Sequence, residues 1–369
     1  MTAFVLVFSL IYIALIAGML IAMPSVVPRT LPLGVSVPQS RVDDPAVHAA
    51  LRRYRGGEIL ATAVAVVLAV VLAFTAPVAG AIAPMLVLIV LSVVVYVVSR
   101  RGIRQAKNAG DWYAGLPVRL SAEVTVPARH RPPIVWPVLA AVLLVIATGI
   151  GIAVYPHLPD PYPTHRAVDG HVDATAPKTV LVVFLPLIIG AVISGLMALF
   201  SVFAARAALR PTSDAGVADT TATAAARRGI LAALTSELSA VIAFGLSLIA
   251  VLDWVAPDSG LGARLGVVVL IALIAVVLIA TVVRVRRITR PDAGQPRGAA
   301  RPDAPDDDAR WKAGILYIDR HDPALFVPKR FGLGWTINLG HPAGIAIGVV
   351  LLLLIVGGIV AAALGVHAR

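Results

Sequence analysis

A polar stretch of the chain, residues 155–178, holds the densest group of side chains that could bind a ligand or take part in chemistry. Two histidines and two aspartates lie close together there, at His165, Asp169, His171 and Asp173. Imidazole and carboxylate groups are ligands for several divalent metals. Their spacing matches no strong metal motif, however, and an aspartate followed by glycine, as at Asp169, is a common turn signal. The pattern therefore favours a structural turn or a peptide-binding surface, and we predict no metal and no cofactor.

A second candidate is Glu237, which lies inside a long apolar stretch. A carboxylate at the centre of a membrane helix costs about 2.5–3.5 kcal/mol on insertion scales. We therefore expect Glu237 to find a partner in Ser236, in Ser239 or on another helix. Both proton or cation handling and a hydrogen-bonded packing role remain open for it. Glu58 lies beside arginines at the boundary of another apolar stretch, and we predict a surface ion pair for it.

These two groups lie in a chain whose composition is that of a membrane protein. Of its 369 residues, 59% are hydrophobic and 14% charged, against about 45–50% and about 25% in soluble domains. Cysteine is absent, which excludes disulfides and thiolate chemistry. The formal net charge is +11, carried mostly by arginine; we attribute it to loops at the inner membrane face and expect no direct nucleic-acid binding.

A membrane-spanning helix needs about 20 mostly apolar residues, and eight stretches of the chain qualify. They are roughly residues 3–23, 57–76, 79–99, 134–154, 179–204, 229–252, 262–283 and 343–365. With both termini outside, 27 of the 31 lysines and arginines fall in inner loops, as the positive-inside rule requires. The sequence therefore predicts an all-α membrane protein with about eight transmembrane helices and an outer loop at residues 155–178.

The loops between these helices divide the chain further. Residues 289–310 have the composition of a disordered linker. The next segment does not: Ile315–Ile318 and Leu325–Val327 are predicted as two short strands around a turn, in a small β-containing module at the inner face. In the first inner loop, Asp43 or Asp44 is expected to cap a short helix. The predicted units are 1–133 (three helices with basic loops), 134–204 (helix, outer loop, helix), 205–288 (two helices), 289–310 (linker), 311–342 (module) and 343–369 (last helix).

The outer loop resembles the signature of a bacterial membrane family that is known only as a domain of unknown function and also occurs in the SdpI type of toxin immunity protein. The pattern is Y-P-x-L-P-D-x-x-P-T-H, then D-G-x-x-D, then P-K before a helix. The residues that carry it are Tyr155, Pro156, Leu158, Pro159, Pro163, His165, Gly170, Asp173, Pro177 and Lys178. With Asp169, all of these except Pro177 form the predicted ligand- or peptide-binding set.

Two further stretches are similar to sequences in the same proteins. One is the inner motif Leu31–Pro38, followed by Arg52, Arg53, Tyr54 and Arg55. The other is the segment F-V-P-K-R-F-G-L-G-W-T-I-N before the last helix, which resembles a second uncharacterised module. The predicted functional residues of this module are Phe326, Pro328, Lys329, Arg330, Phe331, Gly332, Trp335 and Asn338.

The resemblance implies an integral protein of a bacterial plasma membrane that senses or resists an extracellular peptide or envelope stress. Its partners would be the lipid bilayer, an extracellular peptide and a cytoplasmic protein. We expect no enzyme, because the sequence contains no P-loop, dinucleotide fingerprint, nucleophile elbow or metalloprotease helix. The alternative is a proton- or ion-coupled transporter of a small or lipid-like solute that uses Glu237. A membrane enzyme with a metal in the outer loop is a third, weaker alternative.

Overall fold

The computed structural model describes residues 2–116, 131–166, 172–206, 221–257, 260, 262–289, 306–331 and 334–367. The chain is mostly helical. Its helices are α1 (Thr2–Ala22), α2 (Pro45–Thr75), α3 (Pro77–Ala109), α4 (Val135–Val154), α5 (Val180–Arg206), α6 (Thr221–Val255), α7 (Val267–Thr289) and α8 (Pro342–His367). Its strands are β1 (Tyr162–Arg166), β2 (Val172–Ala176), β3 (Trp311–Lys312), β4 (Leu316–Tyr317), β5 (Phe326–Pro328) and β6 (Trp335–Ile337).

The first three helices form one bundle. Small residues recur at every fourth position of α2, at Ala61, Ala65 and Ala69, and all three are buried against Tyr12 and Ile13 of α1 and Leu88 of α3. Small side chains let helix backbones approach closely, which is how helices associate where lipid removes the hydrophobic driving force. The stripe of alanines therefore explains why α2 and α3 pack along most of their length.

Helices α4, α5 and α6 form a second bundle. Its core contains Ala147 of α4, Val183 and Leu187 of α5, and Ala250 and Trp254 of α6. Helix α7 packs on α6 and also contacts α1, so it joins the two bundles. We call the end of the bundles that carries the β1–β2 strands the hairpin end, and the opposite end, which carries β3–β6, the module end.

Seven helices, α1 to α7, are long and apolar enough to cross a membrane. The apolar part of α8 extends over Pro342–Gly357 in the described residues and is shorter than the other spans. The prediction of transmembrane helices is thus confirmed for seven of the eight, and the placement of both termini outside stays a prediction.

The first inner loop differs from the prediction in one respect. The expected short helix after Asp44 is not separate, because α2 runs unbroken from Pro45 to Thr75. Asp44 does cap it: its side-chain Oδ1 accepts a hydrogen bond from the Ala46 backbone N–H at 2.9 Å, as N-cap aspartates do.

The module consists of two small antiparallel sheets, β3–β4 and β5–β6. The predicted strands at Ile315–Ile318 and Leu325–Val327 overlap β4 and β5, but they do not pair across the intervening turn. Asn338 explains this, because its side-chain Nδ2 donates hydrogen bonds to the backbone oxygens of Asp319, Asp322 and Ala324 at 2.8, 3.1 and 3.1 Å. These bonds hold residues 319–324 as a loop and leave β4 and β5 to find other partners.

The predicted linker ends earlier than expected. Residues 290–305 lie outside the described part of the chain, whereas residues 306–310 are described and residues 308–310 form a 3₁₀ turn. The side chains of Asp306 and Asp308 both accept hydrogen bonds from Lys107 of α3, at 2.6 and 2.7 Å. These contacts attach residues 306–310 to the same site as the predicted module, and we use the term module for residues 306–341.

The predicted orientation can be tested by cysteine labelling, since the chain has no cysteine of its own. Thr164, in the β1–β2 hairpin, and Lys312, in the module, are both exposed. In intact cells a membrane-impermeant maleimide is expected to label Thr164→Cys at once and Lys312→Cys only after permeabilisation. The reverse pattern, or equal labelling of both, would show that the hairpin does not face outward.

Candidate functional site

The hairpin is anchored at its base and exposed at its strands. Leu158 and Tyr162 are buried against Val183 of α5 and Trp254 of α6. Lys178 closes the base, because its Nζ donates a hydrogen bond to the Leu158 backbone oxygen at 2.9 Å. Three residues of the predicted peptide-binding set, Tyr155, Leu158 and Lys178, thus have a structural role at the base of the hairpin.

Other predicted residues of the hairpin remain accessible. Pro156, Pro159 and His165 are exposed, and Pro163 is partly exposed. Strands β1 and β2 pair His165 with Ala174, with register shifts on both sides of His165. Asp169 and Gly170 lie outside the described residues.

The strands bring together one pair from the polar cluster. The Nδ1 atom of His165 lies 2.6 Å from Oδ1 of Asp173, and both side chains reach solvent. Within the described part of the chain, no three histidine, aspartate or glutamate side chains come close enough to share a metal ion. The described arrangement is a hydrogen-bonded pair on an exposed surface, which can recognise a polar partner.

Glu237 pairs with a residue on another helix, which was one of the predicted options. Its Oε1 and Oε2 atoms lie 2.8 and 3.0 Å from Nη1 of Arg284 on α7. The predicted serine partners bond elsewhere: Ser236 Oγ donates to the Pro133 backbone oxygen at 2.6 Å, and Ser239 Oγ donates to that of Ser236 at 2.7 Å. The Glu237–Arg284 pair thus connects α6 to α7.

The two members of this pair differ in exposure, and that difference predicts unequal effects of mutation. The Glu237 side chain is 10% exposed and that of Arg284 is 41% exposed. Arg284→Gln leaves a buried carboxylate unpaired, so we expect a loss of about 3–5 kcal/mol. Glu237→Gln leaves an arginine that solvent or headgroups can still reach, and we expect about 1 kcal/mol or less.

The free energy of unfolding in mixed detergent micelles is measured for the purified wild type, both single variants and the double variant. The double-mutant cycle then gives the coupling between the two residues. Equal losses from the two single variants would show that the exposure difference does not govern the energetics of this pair.

Glu58 corrects the sequence prediction. It was expected to form a surface ion pair, but it is fully buried between α2 and α3, where Ser92 Oγ donates a hydrogen bond to its Oε2 at 2.7 Å. The neighbouring arginines project to other sides of α2, because successive residues of a helix point about 100° apart. Glu58 lies four residues after Tyr54 and three before Ala61, both of which are buried, so helical spacing was the signal that located it.

The most extensive polar site of the described residues lies where the module meets the membrane helices. At its centre is Arg330, whose side chain is 1% exposed. Its guanidinium forms ion pairs with Asp307 and with Asp308, the latter at 2.5 Å from Nη1 to Oδ1. Of the predicted module residues, Arg330 is therefore the one that joins the start of the module to its second sheet.

The same two aspartates bind the inner motif Leu31–Pro38, which we call the docking loop. The Ser36 backbone N–H donates to Asp308 Oδ1 at 3.0 Å, and its Oγ donates to Asp307 Oδ1 at 3.1 Å. Leu33, Val35 and Val37 of this loop are almost completely buried. The docking loop is therefore the surface on which the module rests.

Aromatic residues surround these ionic contacts. Phe331 packs on Tyr96 of α3 and Tyr54 of α2, with ring centroids 4.9 and 6.4 Å apart. The Tyr96 hydroxyl lies 3.1 Å from the backbone oxygens of both Leu33 and Ala313, within hydrogen-bonding distance of the docking loop and of the module. Sequence reasoning missed the part that Tyr54 and Tyr96 play here.

The module also contacts the second bundle. The Trp335 ring lies 6.3 Å from Phe200 and 6.0 Å from Phe203 of α5, and Phe326 lies 6.0 Å from Phe203. Of the remaining predicted module residues, Pro328 and Lys329 are exposed to solvent. Gly332 lies outside the described residues.

Inside the module, the pKa of the Tyr317 hydroxyl is raised. Burial raises the pKa of Tyr317 to about 12, and the hydrogen bond that its hydroxyl donates to Asp322 at 2.9 Å acts in the same direction. Tyr317 therefore stays neutral as a donor and supports the loop 319–324 that Asn338 organises.

Adjacent basic residues of the module provide a matched test of docking. Arg330→Met leaves Asp307 and Asp308 buried without their arginine, so we expect the docked state to lose about 3–5 kcal/mol. Lys329→Met changes an exposed side chain, and we expect an effect within about 0.5 kcal/mol. Hydrogen exchange of the backbone amides of residues 311–331 measures both changes. Similar exchange in the two variants would mean that the Arg330 ion pairs do not hold the module.

Two family matches coincide with these two sites. Residues 142–190, from α4 through the hairpin into α5, match a domain of unknown function (DUF1648). Residues 320–345, which include β5, β6 and Asn338, match a family of unknown function (DUF5808). No curated protein and no solved structure matches the chain.

The two matches agree with the expected likeness to an uncharacterised membrane family, and each covers only a small part of the chain. Taken with the seven apolar helices, they define the class: the protein is a helical, multi-pass integral membrane protein.

Proposed function

We propose that the protein is a membrane sensor of the immunity type, in which the hairpin receives an extracellular peptide or an envelope-stress signal and the module passes the signal to a cytoplasmic protein. The predicted orientation supports this, since it places the hairpin outside and the module inside. The host would be a bacterium and the location its plasma membrane. No catalytic step belongs to this function.

One observation carries the proposal: α5 and α6 contact both the hairpin and the module. At the hairpin end, Phe184 of α5 lies 5.3 Å from Trp254 of α6 and 6.3 Å from Tyr155. At the module end, Trp335 packs on Phe200 and Phe203 of α5 and against a buried cluster formed by Ala204 and Ala205 of α5 with Leu231 and Ala232 of α6. A movement of α5 relative to α6 would therefore change the contacts of both the hairpin and the module.

The surface of the hairpin suits the recognition of a peptide. Its proline-rich approach is exposed while its base is fixed by Leu158 and Tyr162. Proline and paired strands lose little further conformational freedom on binding, which lowers the cost of association. The exposed His165–Asp173 pair supplies polar contacts.

The transport alternative has less support from the geometry. Its proposed coupling residue, Glu237, is held by Arg284 in an ion pair that connects α6 to α7. Coupled transporters usually place several ionisable groups or broken helices near the midplane. The Glu237–Arg284 contact is better explained as one that stabilises the bundle.

Photo-crosslinking in native membranes tests the sensor proposal. A photoreactive amino acid replaces Thr164, which is exposed on β1, and the captured molecules are identified by mass spectrometry. We expect a secreted peptide, and we expect the added variant His165→Ala to reduce its capture. The matched control places the same probe at Val142, an exposed apolar residue of α4, where lipid alone should be captured. Capture of only lipid and the protein's own helices at position 164 would refute the receptor role.

A further inference from the structure

Glu58 is a buried acidic residue that has no part in the proposed sensor function. It lies on α2 and is fully buried at 0% exposure, between the alanine stripe and the layer of aromatic residues on which the module docks. Ser92 of α3 donates one hydrogen bond to its Oε2, and its Oε1 is buried without a hydrogen-bond partner among the described residues. No ion pair to Glu58 occurs within that part of the chain. A bare carboxylate is strongly disfavoured in such a place, whereas a carboxylic acid is not.

The hydrogen bond of Tyr54 points to the same conclusion. The Tyr54 hydroxyl, on the residue one helical turn before Glu58, donates its hydrogen bond to the Leu20 backbone oxygen at 3.0 Å. A phenol has one hydrogen to donate. Because that hydrogen is used by Leu20, Tyr54 does not donate to Glu58, and Ser92 is the one donor to the carboxyl among the described residues.

We propose that Glu58 is a proton-binding site, and that the proton it holds keeps the module docked. The first part rests on the burial of Glu58 and the second on the contacts of the docked module, so neither part requires the proposed sensor function. A proton fits the site better than a metal cation, because the described neighbours offer the carboxyl a serine and a phenol rather than the several oxygens that a cation requires.

The link to docking follows the spacing of the two helices. Glu58 and Tyr54 are four residues apart on α2, and Ser92 and Tyr96 are four residues apart on α3, so each pair lies on one helix face. Both tyrosines contact Phe331 of the module. Loss of the proton would leave a carboxylate that needs a donor besides Ser92, and the Tyr54 hydroxyl belongs to the same face of α2, one helical turn away. Turning that hydroxyl from Leu20 to Glu58 disturbs the ring on which Phe331 rests.

Other titratable groups surround this site and bear on its response to pH. They are Tyr12 on α1, Tyr54 on α2, Tyr96 and Arg100 on α3, and Asp307, Asp308 and Arg330 in the module. Replacing Glu58 by glutamine leaves all of these in place, so the variant separates their titration from that of Glu58.

Dicyclohexylcarbodiimide tests for the proton. A protonated carboxyl in apolar surroundings adds its O–H across one C=N bond of the reagent, and the adduct rearranges to a stable N-acylurea with no atom lost. In native membranes we expect the peptide that contains Glu58 to be modified, with a rate that falls roughly tenfold per pH unit once the proton is lost. Glu237, which is ion-paired with Arg284, serves as the internal reference and should stay unmodified. An unmodified Glu58, a rate independent of pH, or protection by sodium ions would each overturn the proton site.

Hydrogen exchange tests the coupling. In the wild-type protein, we expect amide exchange in residues 311–331 to speed up several-fold between mildly acid and mildly alkaline pH, beyond the intrinsic pH effect. Glu58→Gln is isosteric with the protonated acid and should stay slow over the whole range. Ser92→Ala keeps the acid and should retain the pH response. Identical pH profiles for wild type and Glu58→Gln would overturn the coupling, and carbodiimide labelling would then still decide the proton site. Neither experiment requires an extracellular ligand, so the sensor proposal can fail separately.

Discussion

The arrangement of the protein depends on a small buried ionic cluster, in which Arg330 meets Asp307 and Asp308 and these meet Ser36. Ion pairs of this kind add little net stability compared with apolar packing, because desolvation offsets much of their attraction. They are demanding in geometry, however, since a partner that is displaced leaves a charge unpaired in a dry site. The cluster therefore fixes where the module sits, while Phe331 and the tyrosines beneath it supply the apolar contact.

The module is in contact with both helix bundles. The docking loop and Phe331 attach it to the first bundle, whereas Trp335 and Phe326 attach it to the second. Helix α7, through its packing on α6 and its contact with α1, is another connection between the bundles. A change in the spacing of the bundles would have to be accommodated at one of these contacts. The module is thus suited to report on the membrane helices rather than to act independently of them.

Membrane spans and local features could be predicted from the sequence, whereas contacts between residues that are distant in sequence could not. Spans could be read from hydropathy because backbone groups in lipid must be satisfied within helices, and the Asp44 cap could be read because capping is local. Glu58 was misplaced because the adjacent arginines were weighed above its spacing from Tyr54 and Ala61. The acidic run Asp306–Asp308 has the composition of a linker, and its partners could not be predicted because Lys107 is remote in sequence and Arg330 follows a later strand, β5. For the hairpin, the resemblance to a family pattern pointed to Leu158 and Lys178, but a pattern does not distinguish residues that anchor the loop from residues that bind a ligand.

The module is covalently held on both sides, by α7 through residues 290–305 and by α8, which begins at Pro342 directly after it. A module that leaves the docking loop therefore stays tethered to the same patch of membrane, and its return is an intramolecular event. A covalent connection of this kind gives the module an effective concentration at the docking loop. A cytoplasmic partner would have to compete with this local concentration, so weak binders would find the module only while the docking contacts are weakened. The two flanking helices thus favour return of the module to the docking loop over its capture by any other molecule.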